Sequence, residues 1–286
     1  MTRYVRATSV ADAVAAIADG GLDVVAGATD VYPARATATA EGRAVRRGLL
    51  DVSGLVELKG ISETGSHWRM GALTTWRDLI AAPLPPLFDV LKAAAREIGG
   101  VQIQTRGTIG GNICTASPAG DSIPCLMALD AEVEMATAGD QRVRVPIGEF
   151  QTGYRATQAQ VRSALVTAVL LPRRAGRGHF LKLGARRYLV ISIAMVSGVF
   201  EHDADGRIVR SAIAVGACSP VAQRLGALEH ALVGRPPDPE IVEPRHLAGL
   251  SPLDDVRASA AYRLSAALTL VRDLIAEAGR TRRVAA

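Results

Sequence analysis

Hydrophobic and polar positions follow helical spacing in several stretches of the chain, and glycine or proline bounds most of them. Residues 87–98 are the clearest amphipathic helix, and Gly99 and Gly100 supply its stop signal. The run 83–86, which is rich in proline, ends the helix before it. The segments predicted to be helical are 10–18, 76–82, 87–98, 121–129, 222–232 and 258–278.

Short apolar or alternating runs predict the strands. The strand segments are 22–26, 49–52, 68–72, 131–135, 142–146, 164–171, 191–201 and 208–215. Turn residues at 138–140 and 203–206 join two pairs of them into hairpins. An arginine- and glycine-rich segment at 173–178 predicts a linker, which divides the chain into domains 1–172 and 179–280. Within the first domain we expect two subdomains, 1–55 and 56–172.

Composition narrows the class of protein. The chain has 286 residues, of which 49% are hydrophobic and 21% charged, which is typical of a globular protein. No apolar run is long enough to span a bilayer. The net charge is +5, but basic residues are mixed with acidic ones and no nucleic-acid-binding motif is present, so a nucleic-acid partner is not expected.

Cysteine usage and the first residues indicate the compartment. Cys114, Cys125 and Cys218 show no C-x-x-C spacing, which argues against a disulfide framework and against a zinc or iron–sulfur site made by this chain alone. Free thiols suit a reducing compartment, and the acidic residues near the start are not typical of a signal peptide. We expect a cytoplasmic protein.

Residues 105–121 form the most informative stretch, because glycines and small polar residues dominate it. Glycine allows close approach of a ligand to the backbone, and successive N–H groups in such a turn bind anions such as phosphate. Four hydroxyl or amide side chains could donate to a ligand, and the carboxylate at the end could accept from a sugar hydroxyl: Thr108, Asn112, Thr115, Ser117 and Asp121. We interpret the stretch as a ligand-binding loop; the alternative is an ordinary surface loop.

A second small-residue turn follows the predicted strand 22–26. Its sequence, Ala26 to Asp30, suits phosphate binding but matches neither the dinucleotide fingerprint G-x-G-x-x-G nor a P-loop. The histidines are scattered without metal-ligand spacing, and no serine-nucleophile motif occurs. Lys182 and Arg186 lie near the predicted interdomain cleft. Together these features favour a bound nucleotide cofactor that supplies the chemistry.

With both turns identified, the chain resembles the flavin-binding medium subunit of the molybdenum hydroxylases, the xanthine dehydrogenase and carbon monoxide dehydrogenase group. Residues 26–33 match the family segment A-G-G-T-D-L-x-P, with Ala28 in place of the second glycine. Residues 102–121 match the more specific segment Q-I-R-N-R-x-T-I-G-G-N-I-x-x-A-S-P-x-G-D. The remaining matches, to F-x-K-x-x-x-R-R and S-x-x-Y-R, are Phe180, Lys182, Arg186, Arg187, Ser259, Tyr262 and Arg263.

This resemblance implies an α+β fold: a two-part FAD-binding domain of the PCMH/vanillyl-alcohol-oxidase-like type, followed by a small α+β C-terminal domain. It implies that both turns hold the FAD pyrophosphate, that Asp121 contacts the ribityl or ribose part, and that Lys182 lies near the isoalloxazine. No catalytic side chain and no metal ligand are expected. The implied cofactor-binding residues are Ala26, Gly27, Ala28, Thr29, Asp30, Val31, Ile98, Thr108, Gly110, Gly111, Asn112, Thr115, Ser117, Asp121, Val166 and Lys182.

The implied function is that of an oxidoreductase subunit. It would accept electrons from 2Fe-2S clusters in an iron–sulfur subunit and pass them to NAD⁺ or another acceptor. A large subunit would bind the molybdenum cofactor, usually in a dimer of heterotrimers. Two departures stand out: Ala28 requires a permissive backbone angle, and residues 191–194 replace the Asp-Ile-Ala of many relatives. A stand-alone flavin oxidoreductase and a cofactor-free assembly subunit remain alternatives.

Overall fold

The N-terminal part of the computed structural model, which describes residues 3–285, is a small parallel sheet with one helix packed on it. Its elements are β1 (Tyr4–Arg6), α1 (Val10–Ala18), β2 (Leu22–Val25), α2 (Val31–Ala40) and β3 (Gly48–Asp51). The strand order is β1-β3-β2, with both pairs parallel. The side chain of Ser9 caps α1. The buried face of α1 packs on this sheet to form a separate small core.

The middle of the chain is built on an antiparallel sheet of order β4-β5-β10-β6-β7. The hydrophobic residues of its strands and of the helices beside them form the largest core of the protein. The elements are β4 (Ile61–Glu63), β5 (His67–Gly71), α3 (Trp76–Ala81), α4 (Asp89–Glu97), α5 (Val101–Gln104), α6 (Ile109–Thr115), α7 (Ser122–Ala128), β6 (Glu132–Thr137), β7 (Gln141–Pro146), α8 (Ile147–Phe150), β8 (Gln151–Gly153), β9 (Ala156–Thr157), α9 (Gln158–Val161) and β10 (Leu165–Pro172).

The C-terminal part is an antiparallel sheet of order β11-β12-β13-β14 covered by a long helix. Its elements are β11 (Arg177–Leu183), β12 (Ala194–His202), β13 (Ile208–Gly216), β14 (Gln223–Arg224), α10 (Gly226–Leu232) and α11 (Ala260–Ala285). As predicted, α11 packs across the hairpin, and a Cβ on Gly198 would lie 2.8 Å from the Leu274 side chain. The opposite side of β11 packs on α4, where a Cβ on Gly178 would lie 2.6 Å from the Val90 side chain.

The α+β class is confirmed, but several element predictions are wrong in detail. The stretch predicted as a glycine-rich loop contains α6, because Thr108 caps this helix and Gly110 fits where its first turn packs closely on Ala72. The predicted linker is shorter, because β11 begins at Arg177.

Other differences concern element ends. The predicted strand at 191–201 begins only at Ala194, and the predicted helix at 222–232 begins at Gly226, since β14 pairs with β13 just before it.

Helix α2 was missed because its sequence has no apolar periodicity, and none of its residues is buried.

Candidate functional site

The first small-residue turn joins β2 to α2 and directs backbone N–H groups outward. In the described residues, the N–H groups of 27–31 have no protein acceptor. Ala28 has φ +65°, the left-handed conformation that the missing second glycine would have adopted readily. The backbone angle that Ala28 requires is therefore present. A run of free amides at the start of a ten-residue helix favours an anion, because the N–H groups and the helix dipole act together.

The first turn lies directly against the second glycine-rich segment. A Cβ on Gly27 would be 1.9 Å from the carbonyl oxygen of Arg106, so only glycine allows this approach. The Thr115 hydroxyl donates to Asp30 Oδ2 at 3.3 Å, and Arg155 lies 3.6 Å from the same oxygen. The structure therefore brings the residues predicted in 26–31 together with those predicted in 108–117.

The second segment works differently from the sequence prediction. The N–H groups of Ile109 and Gly110 donate to carbonyls of 74 and 72 at 3.0 and 2.9 Å, and that of Gly111 donates to Thr108 Oγ1 at 3.1 Å. The first turn of α6 is thus bound within the protein and offers no free amides from 109–111. A Cβ on Gly110 would lie 2.7 Å from the Ala72 backbone, whereas one on Gly111 would meet only Thr108 Oγ1. Gly110 therefore serves packing, and Gly111 leaves an open face.

Past α6 the chain makes a tight turn into α7. Ala116 ends the helix with φ +47°, and Ser117 Oγ accepts from the N–H of Ala119 at 3.3 Å. Asn112 Oδ1 accepts from the Ser122 hydroxyl at 2.6 Å, which ties α6 to α7. Asn112 and Ser117 therefore have structural partners on one side and remain partly exposed on the other.

Asp121 lies at the end of the turn and is buried together with two residues of the C-terminal part. Lys182 Nζ donates to its Oδ2 at 2.6 Å, and the Ser192 hydroxyl donates to its Oδ1 at 2.6 Å. Burial raises the pKa of Asp121, while the Lys182 ammonium and the Ser192 hydroxyl act in the opposite direction. The short contacts from an ammonium and a hydroxyl identify the ion pair as the state that this geometry holds.

Lys182 also lines a groove between α4 and the loop that follows β11. The groove encloses about 530 Å³, and Glu97, Arg186 and Phe180 are among its walls. The cleft predicted beside Lys182 and Arg186 is therefore present. Ile98 follows Glu97 at the end of α4 and is partly buried. Val166 is buried in β10, the strand on which α6 packs.

Sequence reasoning missed Ser192 and Arg155 as parts of this region. Ser192 is 71 residues from Asp121, and no local pattern marks such a contact. The departure at 191–194 was the one available signal for it. Arg155 lies in a turn with φ +52°, and its N–H donates to the Ala116 carbonyl at 3.1 Å.

No cluster of three or more histidine, cysteine or carboxylate side chains in the described residues could hold a metal ion. No helix in the described part of the chain is long and apolar enough to cross a membrane.

Known families and proteins match this chain over nearly its whole length. The family described as the FAD binding domain in molybdopterin dehydrogenase matches residues 1–174, and the CO dehydrogenase flavoprotein C-terminal domain matches residues 179–278. The nicotine 6-hydroxylase medium subunit of Paenarthrobacter nicotinovorans is 30% identical over 97% of both chains. The putative xanthine dehydrogenase FAD-binding subunit of Escherichia coli is 30% identical over 96% of this chain and 95% of its own.

A solved structure also matches nearly the whole chain. Carbon monoxide dehydrogenase from Hydrogenophaga pseudoflava, in a form that lacks the Mo-pyranopterin moiety of its cofactor, contains a chain that superposes with a TM-score of 0.88. The sequence identity is 27%, and the match covers 98% of both chains.

Proposed function

This chain belongs to the family of FAD-binding domains in molybdopterin dehydrogenases, and on that premise we propose that it is the electron-transfer subunit of a multi-subunit molybdenum hydroxylase. It accepts electrons from 2Fe-2S clusters of an iron–sulfur subunit and passes them to NAD⁺ or another acceptor. A separate large subunit carries the molybdenum cofactor and the substrate site. When bound, FAD supplies chemistry that exchanges one or two electrons, which suits a link between clusters and a soluble acceptor.

The observation that carries the proposal is the turn at 27–31. Its N–H groups have no protein acceptor in the described residues, and the missing Cβ of Gly27 lets it sit against the backbone of Arg106. A diphosphate needs several donors converging on one concave surface, and this turn supplies them without a lysine or a metal ion. The residues present therefore fit the diphosphate of FAD.

The remaining assignments follow from the positions of the residues around this turn. Ala26 to Val31 hold the diphosphate, and Thr115 fixes Asp30 at its edge. The open face of Gly111, with the partly exposed Asn112 and Ser117, borders the same space. Asp121 and Lys182 act farther along, where Lys182 reaches the groove beside α4. Thr108 supports α6 as its N-cap, and Ile98 and Val166 contribute apolar surface.

The assembly we propose is a dimer of heterotrimers in the cytoplasm. Free thiols at Cys114, Cys125 and Cys218 suit that reducing compartment. The similar proteins include a subunit of a dehydrogenase complex and medium chains of carbon monoxide dehydrogenases. This similarity supports the proposal that the present chain acts within a multi-subunit complex. We also propose the domain division 1–172 and 179–280, with subdomains 1–55 and 56–172, since the two matched families meet between residues 174 and 179.

A direct experiment is to purify the chain alone and with its partners, record the visible spectrum, and identify the released cofactor by chromatography. FAD should be present in both preparations, and substrate turnover should require the partners. Substrate turnover by the chain alone would indicate a stand-alone oxidoreductase. Absence of FAD from both preparations would contradict the proposal and indicate an assembly subunit.

The variant Gly111→Val tests the site with little disturbance to the fold. The one atom near a Cβ at Gly111 is the Thr108 hydroxyl oxygen at 2.9 Å, which must shift slightly, and the rest of the added side chain enters the open face. At Gly110 the same change would press on the Ala72 backbone and destabilise the protein. We expect Gly111→Val to lose FAD with a much smaller fall in melting temperature than Gly110→Val, because only the capping hydroxyl has to shift.

A further inference from the structure

Ser192 is a fully buried polar residue with a single side-chain partner. It is 1% exposed, and its hydroxyl donates to Asp121 Oδ1 at 2.6 Å. The other carboxylate oxygen accepts from Lys182 at 2.6 Å. The Lys182 and Asp121 side chains are only 8% and 6% exposed. Since a buried carboxylate is costly unless both oxygens are satisfied, Ser192 completes the site that Lys182 begins.

The backbone that carries Ser192 is anchored from the far side of the C-terminal sheet. The N–H of Ile193 donates to the Leu183 carbonyl at 2.8 Å, which closes the loop between β11 and β12. The carbonyl of Ile193 accepts from Arg263 at 2.5 Å, and Arg263 is only 4% exposed and pairs with Asp255 at 2.7 Å. Ser192 is therefore held in place from outside the Asp121 cluster.

Arg263 also steadies a second contact to the same glycine-rich segment. It donates to the Ala217 carbonyl at 3.2 Å, and the Ala217 N–H donates to the carbonyl of Pro118 at 2.9 Å. Two backbone stretches fixed by one buried arginine thus hold the segment at 118 and at 121. The hydrogen bond from Lys182 to Asp121 is independent of Arg263, because Lys182 belongs to β11 and Arg263 belongs to α11.

Lys182 connects this cluster to the groove beside α4. Its ammonium pairs with Asp121, while the residue lines the groove with Glu97. The position of the Lys182 ammonium at the groove therefore depends on whether the Asp121 carboxylate stays ionised and in place. Without the Ser192 hydroxyl, Oδ1 of Asp121 would have no donor. The carboxylate would then take up a proton more readily and release the Lys182 ammonium.

We propose that Ser192 is a positioning residue, which holds the Asp121 carboxylate so that Lys182 stays paired at the edge of the flavin groove. This role rests on the proposed function, because it concerns the charge that the chain presents to bound FAD. The charged and titratable groups that face Asp121 are Lys182 from β11, Glu97 from α4 and Cys125 from α7. Among the described residues Ser192 is the neutral donor in this set.

The test compares Ser192→Ala with wild type in the purified full-length chain loaded with FAD. Loss of one hydrogen bond to an ionised acceptor should raise the protonation midpoint of Asp121 by about one pH unit. The pH midpoint of any change in the visible absorption of bound FAD should move upward by the same amount. In the FAD-free chain, the melting temperature of Ser192→Ala should be below wild type at pH 8, and the deficit should shrink as pH falls.

The pH dependence of the melting-temperature deficit of Ser192→Ala depends on which protonation state of Asp121 the lost hydrogen bond stabilised. The Ser192 hydroxyl favours the ionised carboxylate, so its removal destabilises the folded chain only where Asp121 is ionised. This part of the penalty shrinks as pH falls through the Asp121 midpoint of the variant and disappears only below the lower midpoint of wild type, where Asp121 is protonated in both chains. A purely steric role for Ser192 would produce a deficit that does not change with pH.

Ser197→Ala is the matched control. Ser197 lies in β12, is 0% exposed, and its hydroxyl has no hydrogen-bond partner among the described residues. Its replacement should move neither midpoint, and any change in melting temperature should be independent of pH, because no ionisable partner is lost. If Ser192→Ala behaves like this control in a chain that binds FAD, the role of Ser192 is refuted. If neither the chain nor its complex binds FAD, the proposed function fails and this role fails with it.

Discussion

Replacing Gly27 by alanine tests whether the contact between the two turns shapes the cofactor site. The new Cβ would lie 1.9 Å from the Arg106 carbonyl oxygen, whereas ordinary contact begins at 3.4 Å. The difference, about 1.5 Å, must be taken up by moving backbone against backbone, because no flexible side chain lies between the turns. We expect the turn at 27–31 to move away from α6 and its N–H groups to lose their common direction.

The expected cost has two parts. Overpacking of this kind destabilises a protein by about 1–3 kcal/mol, which for a chain of this size lowers the melting temperature by several degrees. Misdirected amides lose hydrogen bonds to a charged acceptor, each of which contributes about 1.5–3 kcal/mol. Loss of one or two such bonds weakens FAD binding by roughly 100-fold, at about 1.4 kcal/mol per tenfold.

The assay is a fluorescence titration of FAD into the purified FAD-free chain, with thermal unfolding in parallel. Gly65→Ala is the control, because Gly65 lies in the turn between β4 and β5 with nothing within 4 Å of an added Cβ. This control should bind FAD like wild type. A Gly27→Ala chain that binds FAD within threefold of wild type, at an unchanged melting temperature, would show that this contact does not shape the site.

Three further predictions concern stability. Ala28→Gly should raise the melting temperature by about 1–2 °C, since a side chain at φ +65° costs about 1 kcal/mol and the entropy of glycine in the unfolded chain offsets roughly half of it; a lower melting temperature than wild type would contradict this. Asp130→Asn should cost about 2 kcal/mol in urea unfolding, because its partly exposed carboxylate pairs with three arginines, of which Arg174 is buried; an unchanged unfolding midpoint would refute the pairing. The His179 side chain is mostly buried, and this burial together with the charge of Arg177 lowers its pKa to about 4. Stability should therefore fall by up to about 3 kcal/mol between pH 6.5 and 4, where only the unfolded chain takes up the proton. His179→Gln should lose this slope, and a slope that persists would assign it to other groups.

The substitution Asp130→Asn removes the negative charge and leaves the backbone conformation and the size of the side chain almost unchanged. Asp130 has φ +53°, a conformation that asparagine adopts readily. Alanine would add backbone strain to the loss of the ion pairs. For His179, the charges of Arg177 and His202 lower the pKa in the same direction as burial.

Much of the fold could be predicted from the sequence because its signals are local. The helix at 10–18 matches Val10–Ala18, and Thr75 caps α3 with a full capping box, as its position before an apolar run predicts. The two glycine-rich segments also stood out, because few other structures require so many residues without a Cβ in one place. α2 escaped prediction because it is a helix without a buried face, so it has no periodic pattern to detect.

What the two glycine segments do was decided only by tertiary structure. The sequence by itself indicated that both lie close to a ligand, and their spacing could not tell free amides from bound ones. In the folded chain the amides of 109–111 donate to Thr74, Ala72 and Thr108, whereas those of 27–31 have no protein acceptor in the described residues, which is why we propose the first turn as the anion site.

The Asp121 cluster depends on long-range contacts in the same way. Lys182 and Ser192 reach Asp121 across 61 and 71 residues, and such contacts are specified by the packing of two sheets and not by any local pattern. Sequence motifs thus determined which residues have special roles, because backbone angles and caps are local requirements. Partners and charge states were determined by the fold, because burial and distance exist only once the chain is packed.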